Sequence, residues 1–362
     1  MTPSTRAGDE TPDWQRRLCD DSESMIPLTP ARRPEGDVAA WAEGHAGGEP
    51  PKSGILNIDK PAGRTSHDVV QAVRRAAEAR RVGHAGTLDP MATGVLVVCL
   101  GSATRVVTEI QDGWKSYHAR VRLGVETTTY DAEGEIVATT DPTGITRAAA
   151  AAALERFRGE IDQVPPMYSA LKHDGERLYR LARKGIEVQR EPRSVTVHDL
   201  DLTHWEPPDV ELAMVVSKGT YVRSLAHDLG AALGVGAHLA ALRRTAVGRF
   251  TVDEATPLDT VLESFADGWW PRLMYPLDTA LLDYRAVIVS DDAEAAIRQG
   301  QQIDAAPPAP AGGAVHDHEA EREPVRAYNR DGHFIGLLRW DNVTCRWQPD
   351  RVFPAPGRAR AS

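Results

Sequence analysis

Asp89 stands in a stretch whose residue types suit chemistry. The run Gly83-His84-Ala85-Gly86-Thr87-Leu88-Asp89-Pro90-Met91-Ala92-Thr93-Gly94 holds one carboxylate among three glycines and a proline, just before the apolar run Val95 to Leu100. Glycines let backbone come close to a ligand. Pro90 pushes Asp89 out of helical space. A carboxylate in such a strand-edge loop can act as a nucleophile or a base. The same residues also fit a turn aspartate that caps Thr93 or a nearby amide, and spacing alone favours that plainer reading. Other chemistries lack their signatures. There is no phosphate loop of the G-x-x-x-x-G-K-[ST] form, and Gly234-Val235-Gly236 lacks the third glycine of a dinucleotide fingerprint and reads as a helix stop. His316 and His318 lie in an acidic low-complexity run and read as solvated, and no H-E-x-x-H or cysteine–histidine cluster occurs. The expectation is chemistry without a metal, a nucleotide or another cofactor.

The elements around Asp89 follow from periodicity. Residues 54–58 read as a strand and 59–63 as a turn. Thr65 or Ser66 can cap a helix with an apolar face of Val69, Val70, Val73, Ala76 and Ala77. Val95–Leu100 reads as a buried strand. From Tyr117 the pattern alternates, with Tyr117, Ala119, Val121 and Leu123 on one face and His118, Arg120 and Arg122 on the other. Thr146 caps an Ala-rich helix to about Phe157. Residues 162–193, rich in Pro, Gly and Arg, read as a long insertion rather than core. Strands are expected at 210–217 and 247–252, and a helix over 222–233. Past Tyr284, short strands are expected at 286–289, 325–328 and 334–340, split by a mobile loop over 305–323. Strands and helices mix without strict alternation, which predicts an α+β fold with a mixed, largely antiparallel sheet flanked by helices.

The 362 residues suggest two domains at ~100–200 residues each, or one large domain with appendages. The expected division is a disordered acidic tail over 1–53, a catalytic unit over 54–283, a small β-rich unit over 284–353 and a short tail over 354–362. No apolar run approaches the ~20 residues of a membrane helix, and the first residues carry acids rather than an apolar leader. Three scattered cysteines, Cys19, Cys99 and Cys345, exclude a disulfide scaffold and favour a reducing, cytoplasmic setting. The net charge of −10 argues at first against a nucleic-acid partner. The acid, however, is concentrated in the flanks, so a basic groove in the middle is compatible with it.

The string GHAGTLDPMATGVL resembles the catalytic motif of the TruB-type tRNA pseudouridine-55 synthases, the family that also includes dyskerin. Further stretches agree in order and spacing. Residues 54–63, GILNIDKPAG, resemble the family's opening, and Lys115-Ser116-Tyr117 its tyrosine motif. Residues 165–172, PPMYSALK, resemble its RNA-gripping insertion. Residues 217–225, SKGTYVRSL, and the run from Gly236-Ala237-His238-Leu239 to Leu242-Arg243-Arg244 resemble its last two motifs. The resemblance covers roughly residues 54–250.

That resemblance implies isomerisation of uridine to pseudouridine in the T stem–loop of tRNA, by a monomer with a pseudouridine-synthase catalytic domain and a PUA-like C-terminal domain. Asp89 would be the essential nucleophile or base, Arg223 the cation that keeps it charged, and Tyr117 the stacking and proton-transfer group. Tyr221 would line the pocket and Leu242 would floor it. His84 would fill the stack vacated by the flipped base or touch that nucleotide. Lys60 would order the catalytic loop or bind phosphate. Arg177, Arg180, Arg183 and Lys184 of the insertion would grip the RNA backbone. Without the resemblance each has a plainer reading: core aromatics, a helix-start arginine, a solvated turn lysine, a solvated surface helix. A non-catalytic RNA-binding or RNA-folding module, or a synthase for another RNA, would use the same scaffold. Asp89, Tyr117 and Arg223 together favour the enzyme.

Overall fold

A computed structural model of the chain describes residues 53–304, apart from 170, 174 and 187, and residues 323–354. The expected acidic tail, the loop placed at 305–323 and the C-terminal tail lie, all but their edge residues, outside the described residues. Among those described, no helix is long and apolar enough to cross a membrane.

The fold is α+β. Eight of the eleven strands of the main sheet frame the site: β1 (Gly54–Lys60), β2 (Val82–His84), β3 (Thr93–Leu100), β4 (Lys115–Leu123), β5 (Gly159–Gln163), β6 (Arg193–Glu206), β7 (Asp209–Val216) and β8 (Ala237–Val247). Their order across the sheet is β1-β3-β8-β4-β7-β6-β5, with β2 paired to β3. Neighbours are antiparallel except β3 and β8, which run parallel with Thr93 opposite Arg243 and Gly94 opposite Arg244. A separate four-stranded sheet holds β9 (Ala286–Ile288), β10 (Val325–Tyr328), β11 (Phe334–Asp341) and β12 (Arg346–Val352).

Four helices dress the main sheet: α1 (Ser66–Ala76), α2 (Arg147–Leu154), α3 (Val222–Leu233) and α4 (Leu258–Ala266). Thr65 caps α1 in a reciprocal capping box with Asp68. The continuous apolar run of β3 reflects burial on both faces. Leu96, Val98 and Leu100 pack with α1 and α4. Val95, Val97 and Cys99 face a second cluster that includes Leu337 and Phe353 from the C-terminal sheet region. Burial lifts the Cys99 thiol to about 12 and leaves it inert. On β4, Ala119, Val121 and Leu123 are buried under α2 and α3 while His118, Arg120 and Arg122 are exposed, as the alternation predicts.

Three sequence expectations need correction. The segment 162–193 is not wholly peripheral. It begins in edge strand β5, which pairs with β6, and buries Gln163, Ser169, Leu178 and Leu181. The strand expected over 247–252 is a tight reversal: Gly248 takes φ 51°, and Phe250–Thr251 folds back on Val247 and Ala246. The central strand β8 has no counterpart in the periodicity reading. Register shifts at Leu239/Ala241 and Arg244/Ala246 break its two-residue alternation.

Candidate active site

Asp89 lies in the loop from β2 to β3, and the loop is fastened at several points. Gly86 and Gly94 take φ values of 100° and 97°, open to glycine at little cost. The Leu88 amide donates to Ser66 Oγ at 2.8 Å, and Ser66 Oγ donates to the Leu88 carbonyl at 3.1 Å. The amide of Gly63 donates to the Pro90 carbonyl at 2.9 Å. Lys60 is fully buried, and Nζ donates to the carbonyls of Pro61 (2.9 Å), Arg64 (2.6 Å) and Pro90 (3.2 Å). An ammonium has three donors, so those of Lys60 are spent on backbone carbonyls, two in the turn after β1 and one at Pro90, next to Asp89. Of the two roles the sequence suggested for Lys60, these contacts fit loop ordering.

Arg223 enters from the first turn of α3. The Tyr221 side chain does not cap that helix, and Gln163 instead pins the Tyr221 backbone at its start. Its Oε1 accepts from the Tyr221 amide at 2.7 Å, and its Nε2 donates to the Tyr221 carbonyl at 3.0 Å. The Arg223 guanidinium forks onto Asp89, with Nε to Oδ2 at 3.0 Å and Nη2 to Oδ1 at 3.3 Å. Nη1 donates to Asp131 Oδ2 at 3.2 Å and to the Thr129 carbonyl at 3.4 Å, and Nη2 to the Tyr168 carbonyl at 2.9 Å. Four N–H groups of Arg223 are thereby hydrogen-bonded, and Nε lies at ion-pair distance from Asp89. The Arg223 side chain is 8% exposed and Asp131 3%, while Asp89 keeps 34%. Asp89 is the open end of a buried chain of charges, the place where a substrate atom can arrive.

Burial pushes the Asp89 carboxyl above the usual aspartate range. The nearby Asp131 adds to that shift, while Arg223 and Lys60 pull the other way without cancelling it. A carboxylate that is ionised, desolvated and held by a fork is a strong nucleophile or base in a fixed direction. Around it, Leu242 on β8 packs in one buried cluster with Leu88, Ala92 and Ala119, and Tyr117 packs against that cluster from β4. Burial raises the pKa of the Tyr221 hydroxyl, with the neighbouring Ser169 and Arg223 opposing that shift. His84 lies on β2 opposite Val98, and burial and the nearby Arg244 lower its pKa, so its imidazole is neutral. Its Nδ1 is buried without a hydrogen-bond partner. Arg180 and Lys184 are exposed, and Lys184 pairs with Glu176 at 2.6 Å. The side chains of Arg177 and Arg183 lie outside the described part.

A family model described as TruB family pseudouridylate synthase, N-terminal domain, matches residues 74–222, and the tRNA pseudouridylate synthase B C-terminal domain matches residues 223–282. The chain belongs to the TruB family. A protein of Pseudomonas aeruginosa named tRNA pseudouridine synthase B is 46% identical over 288 residues, covering 79% of this chain and 91% of its own length. One of the same name from Azoarcus is 47% identical over 81% of this chain and 93% of that protein. Among solved structures, a Cbf5-Nop10-Gar1 complex matches with a TM-score of 0.63 and 28% identity over 86% of this chain and 90% of the other. An H/ACA RNP bound to a substrate RNA containing 2′-deoxyuridine matches at 0.62 and 25%, over 87% and 89%.

Within the TruB-family segment, the geometry gathers Asp89, Arg223 and Tyr221, with Tyr117 and Leu242 against the wall beside the loop. It does not bring Arg180 or Lys184 into that cluster. Two residues of the site had no assigned role in the sequence reading. Asp131 lies in Thr129-Tyr130-Asp131-Ala132-Glu133-Gly134, which has the look of an exposed turn. Its carboxylate does make turn bonds, accepting from Thr129 Oγ1 at 2.5 Å and the Glu133 amide at 3.0 Å. Its second oxygen, facing Arg223, is what distinguishes it. Arg244, quoted only as part of a motif, is almost fully buried against the Asp89 loop.

Proposed function

We propose that this chain isomerises uridine to pseudouridine at position 55, in the T-arm loop of tRNA, with Asp89 as the essential carboxylate. The observation that carries the reading is the Asp89 carboxylate, part-open to solvent and gripped on both oxygens by a buried Arg223. The C1′–N1 bond breaks, the freed base turns, C5 bonds to C1′, and the C5 proton leaves while N1 gains one. Atoms and electrons balance without an oxidant or reductant. Asp89 either attacks C1′ or takes the C2′ proton, and either route needs it ionised. Its raised pKa therefore sets the acid limit of activity: turnover falls as pH drops through that value, which lies above the usual aspartate range.

The target base sits inside a folded loop and must be flipped out, at about a few kcal/mol. Tyr117 stacks on the flipped base and presents its hydroxyl for the proton at C5. Tyr221 and Leu242 complete the pocket, and His84 fills the stack vacated by the flipped base or touches that nucleotide. All of these groups come from one chain, so a monomer suffices, acting in the cytoplasm on tRNA. Replacing Tyr117 with Phe is expected to leave tRNA binding within about twofold and to remove turnover, because stacking persists and the hydroxyl is lost. Single-turnover kinetics check this, and near-normal turnover would return Tyr117 to a packing role.

The insertion is the proposed grip on the RNA backbone. Changing Arg177, Arg180, Arg183 and Lys184 together to Gln is expected to weaken tRNA binding and flatten its salt dependence. Each lost phosphate contact lowers the slope of log affinity against log salt by ~0.7–0.9. Titrations at several salt concentrations read this directly, and an unchanged slope would retire the grip. The function itself is tested by mapping pseudouridine in cellular RNA with and without the gene. Loss confined to position 55 of tRNAs supports it. Loss elsewhere would point to another RNA, and no loss to a binding module.

A further inference from the structure

A second buried guanidinium touches the Asp89 loop, and the reaction above makes no use of it. Arg244 projects from β8 and is 1% exposed. Its Nε donates to the Val95 carbonyl at 2.7 Å, Nη2 to the Gly86 carbonyl at 3.1 Å, and Nη1 to the Thr87 carbonyl at 3.5 Å. One side chain thus holds the backbone before Asp89 and the backbone after it. The main chain of β8 approaches just as closely: a Cβ on Gly94 would stand 2.2 Å from the Arg244 carbonyl oxygen. Among the described residues Arg244 makes no ion pair with a carboxylate. Burying a charge without a counter-charge is costly, and the same region also buries Lys60 and Lys115.

We propose that Arg244 is a positioning residue for the isomerisation, forming with Lys60 one cationic clamp that fixes the backbone on both sides of Asp89. The proposal rests on Asp89 being the reacting carboxylate. The clamp has two arms. Arg244 holds Gly86, Thr87 and Val95, and Lys60 holds Pro90, the residue next to Asp89. The two cations also repel each other. Burial pushes the Lys60 ammonium down to about 8, and Arg244 pushes it the same way, while Asp89, Glu133 and Asp68 oppose. Above that pH, Lys60 loses a proton, keeps two N–H groups for three carbonyls, and withdraws positive charge from Asp89. Between about 8 and its ordinary value of 10.5 the folded chain binds fewer protons at Lys60 than the unfolded chain does. Rising pH therefore does not weaken folding through this group, and activity is lost there without unfolding.

The test uses the full chain with Arg244→Gln and Arg244→Lys, measuring kcat and KM for tRNA from pH 6 to 10, with thermal melts alongside. In Arg244→Gln, kcat is expected to fall about 10²-fold, the scale of a misplaced reacting group, with KM within about threefold. The alkaline limb of its profile is expected to move to higher pH, because Lys60 no longer faces a second cation. In Arg244→Lys the fork is lost and the charge remains, so kcat falls and the limb stays. Full kcat in Arg244→Gln overturns the proposal, as does a limb that is unmoved in that variant. Should Arg244→Gln fail to fold, amide hydrogen exchange over residues 85–92 of Arg244→Lys decides. Faster exchange there than in the wild type supports the clamp, and unchanged exchange overturns it. Asp89→Asn separates this from the reading beneath it. An active Asp89→Asn sinks both, whereas an inactive one beside a fully active Arg244→Gln sinks only the clamp.

Discussion

Asp89→Asn loses turnover by at least about 10⁴-fold, as expected for removal of a group that acts in every chemical step, while its tRNA affinity stays within about threefold. Asn has nearly the shape of Asp and one oxygen for the Arg223 fork, but no charge to attack or to take a proton. Affinity survives because contacts to phosphates position RNA and carry most of the binding. The fold survives as well. Arg223 keeps Asp131 and the carbonyls of Thr129 and Tyr168. The sign for stability follows from the raised pKa. A carboxyl whose folded pKa lies above its unfolded value weakens folding when ionised, so a neutral amide is expected not to lower the melting temperature. Tritium release from labelled tRNA and a thermal melt read both outcomes, and steady turnover by the pure variant would contradict the assignment.

Arg223 variants show the second-largest effect. Arg223→Lys keeps a positive charge and loses the planar fork that spans Asp89, Asp131 and two carbonyls. Turnover is expected to fall about 10²–10³-fold, since Asp89 loses both its direction and part of its compensating charge. Arg223→Met goes further. It leaves Asp131, 3% exposed, buried beside Asp89 with no cation between them. Breaking a buried pair from one side costs about 3–5 kcal/mol, which a denaturant melt resolves easily. A Met variant as stable as the wild type would contradict this role of the Arg223–Asp131 pair.

The parts of this arrangement that rest on local rules were legible in the residues. Thr65 caps a helix because a hydroxyl there meets free amides, and Gly234 ends α3 because only a residue tolerant of φ 73° stops a helix that way. The doubly buried β3 reads as an unbroken apolar run, and Tyr117 falls on the inner face of β4 by simple alternation. Asp89 is different. Its neighbours suggest a special loop, yet spacing alone favours a turn aspartate, and the family motif is what singles it out.

What stayed hidden depends on contacts far along the chain. Asp131 is buried only because Arg223, 92 residues later, reaches it. Lys60 resembles a turn lysine until three carbonyls from two segments converge on it. Strand β8, which joins β3 to β4 and carries Leu242 and Arg244, escapes a period-2 search because its register shifts twice. The register shifts in β6 hide that strand in the same way.

The most direct measurement takes purified protein and tRNA carrying tritium at C5 of uridine, with no added cofactor. The account predicts release of one tritium per tRNA to water by the wild type, from position 55, and none by Asp89→Asn. No release by the wild type, or equal release by both proteins, would contradict it.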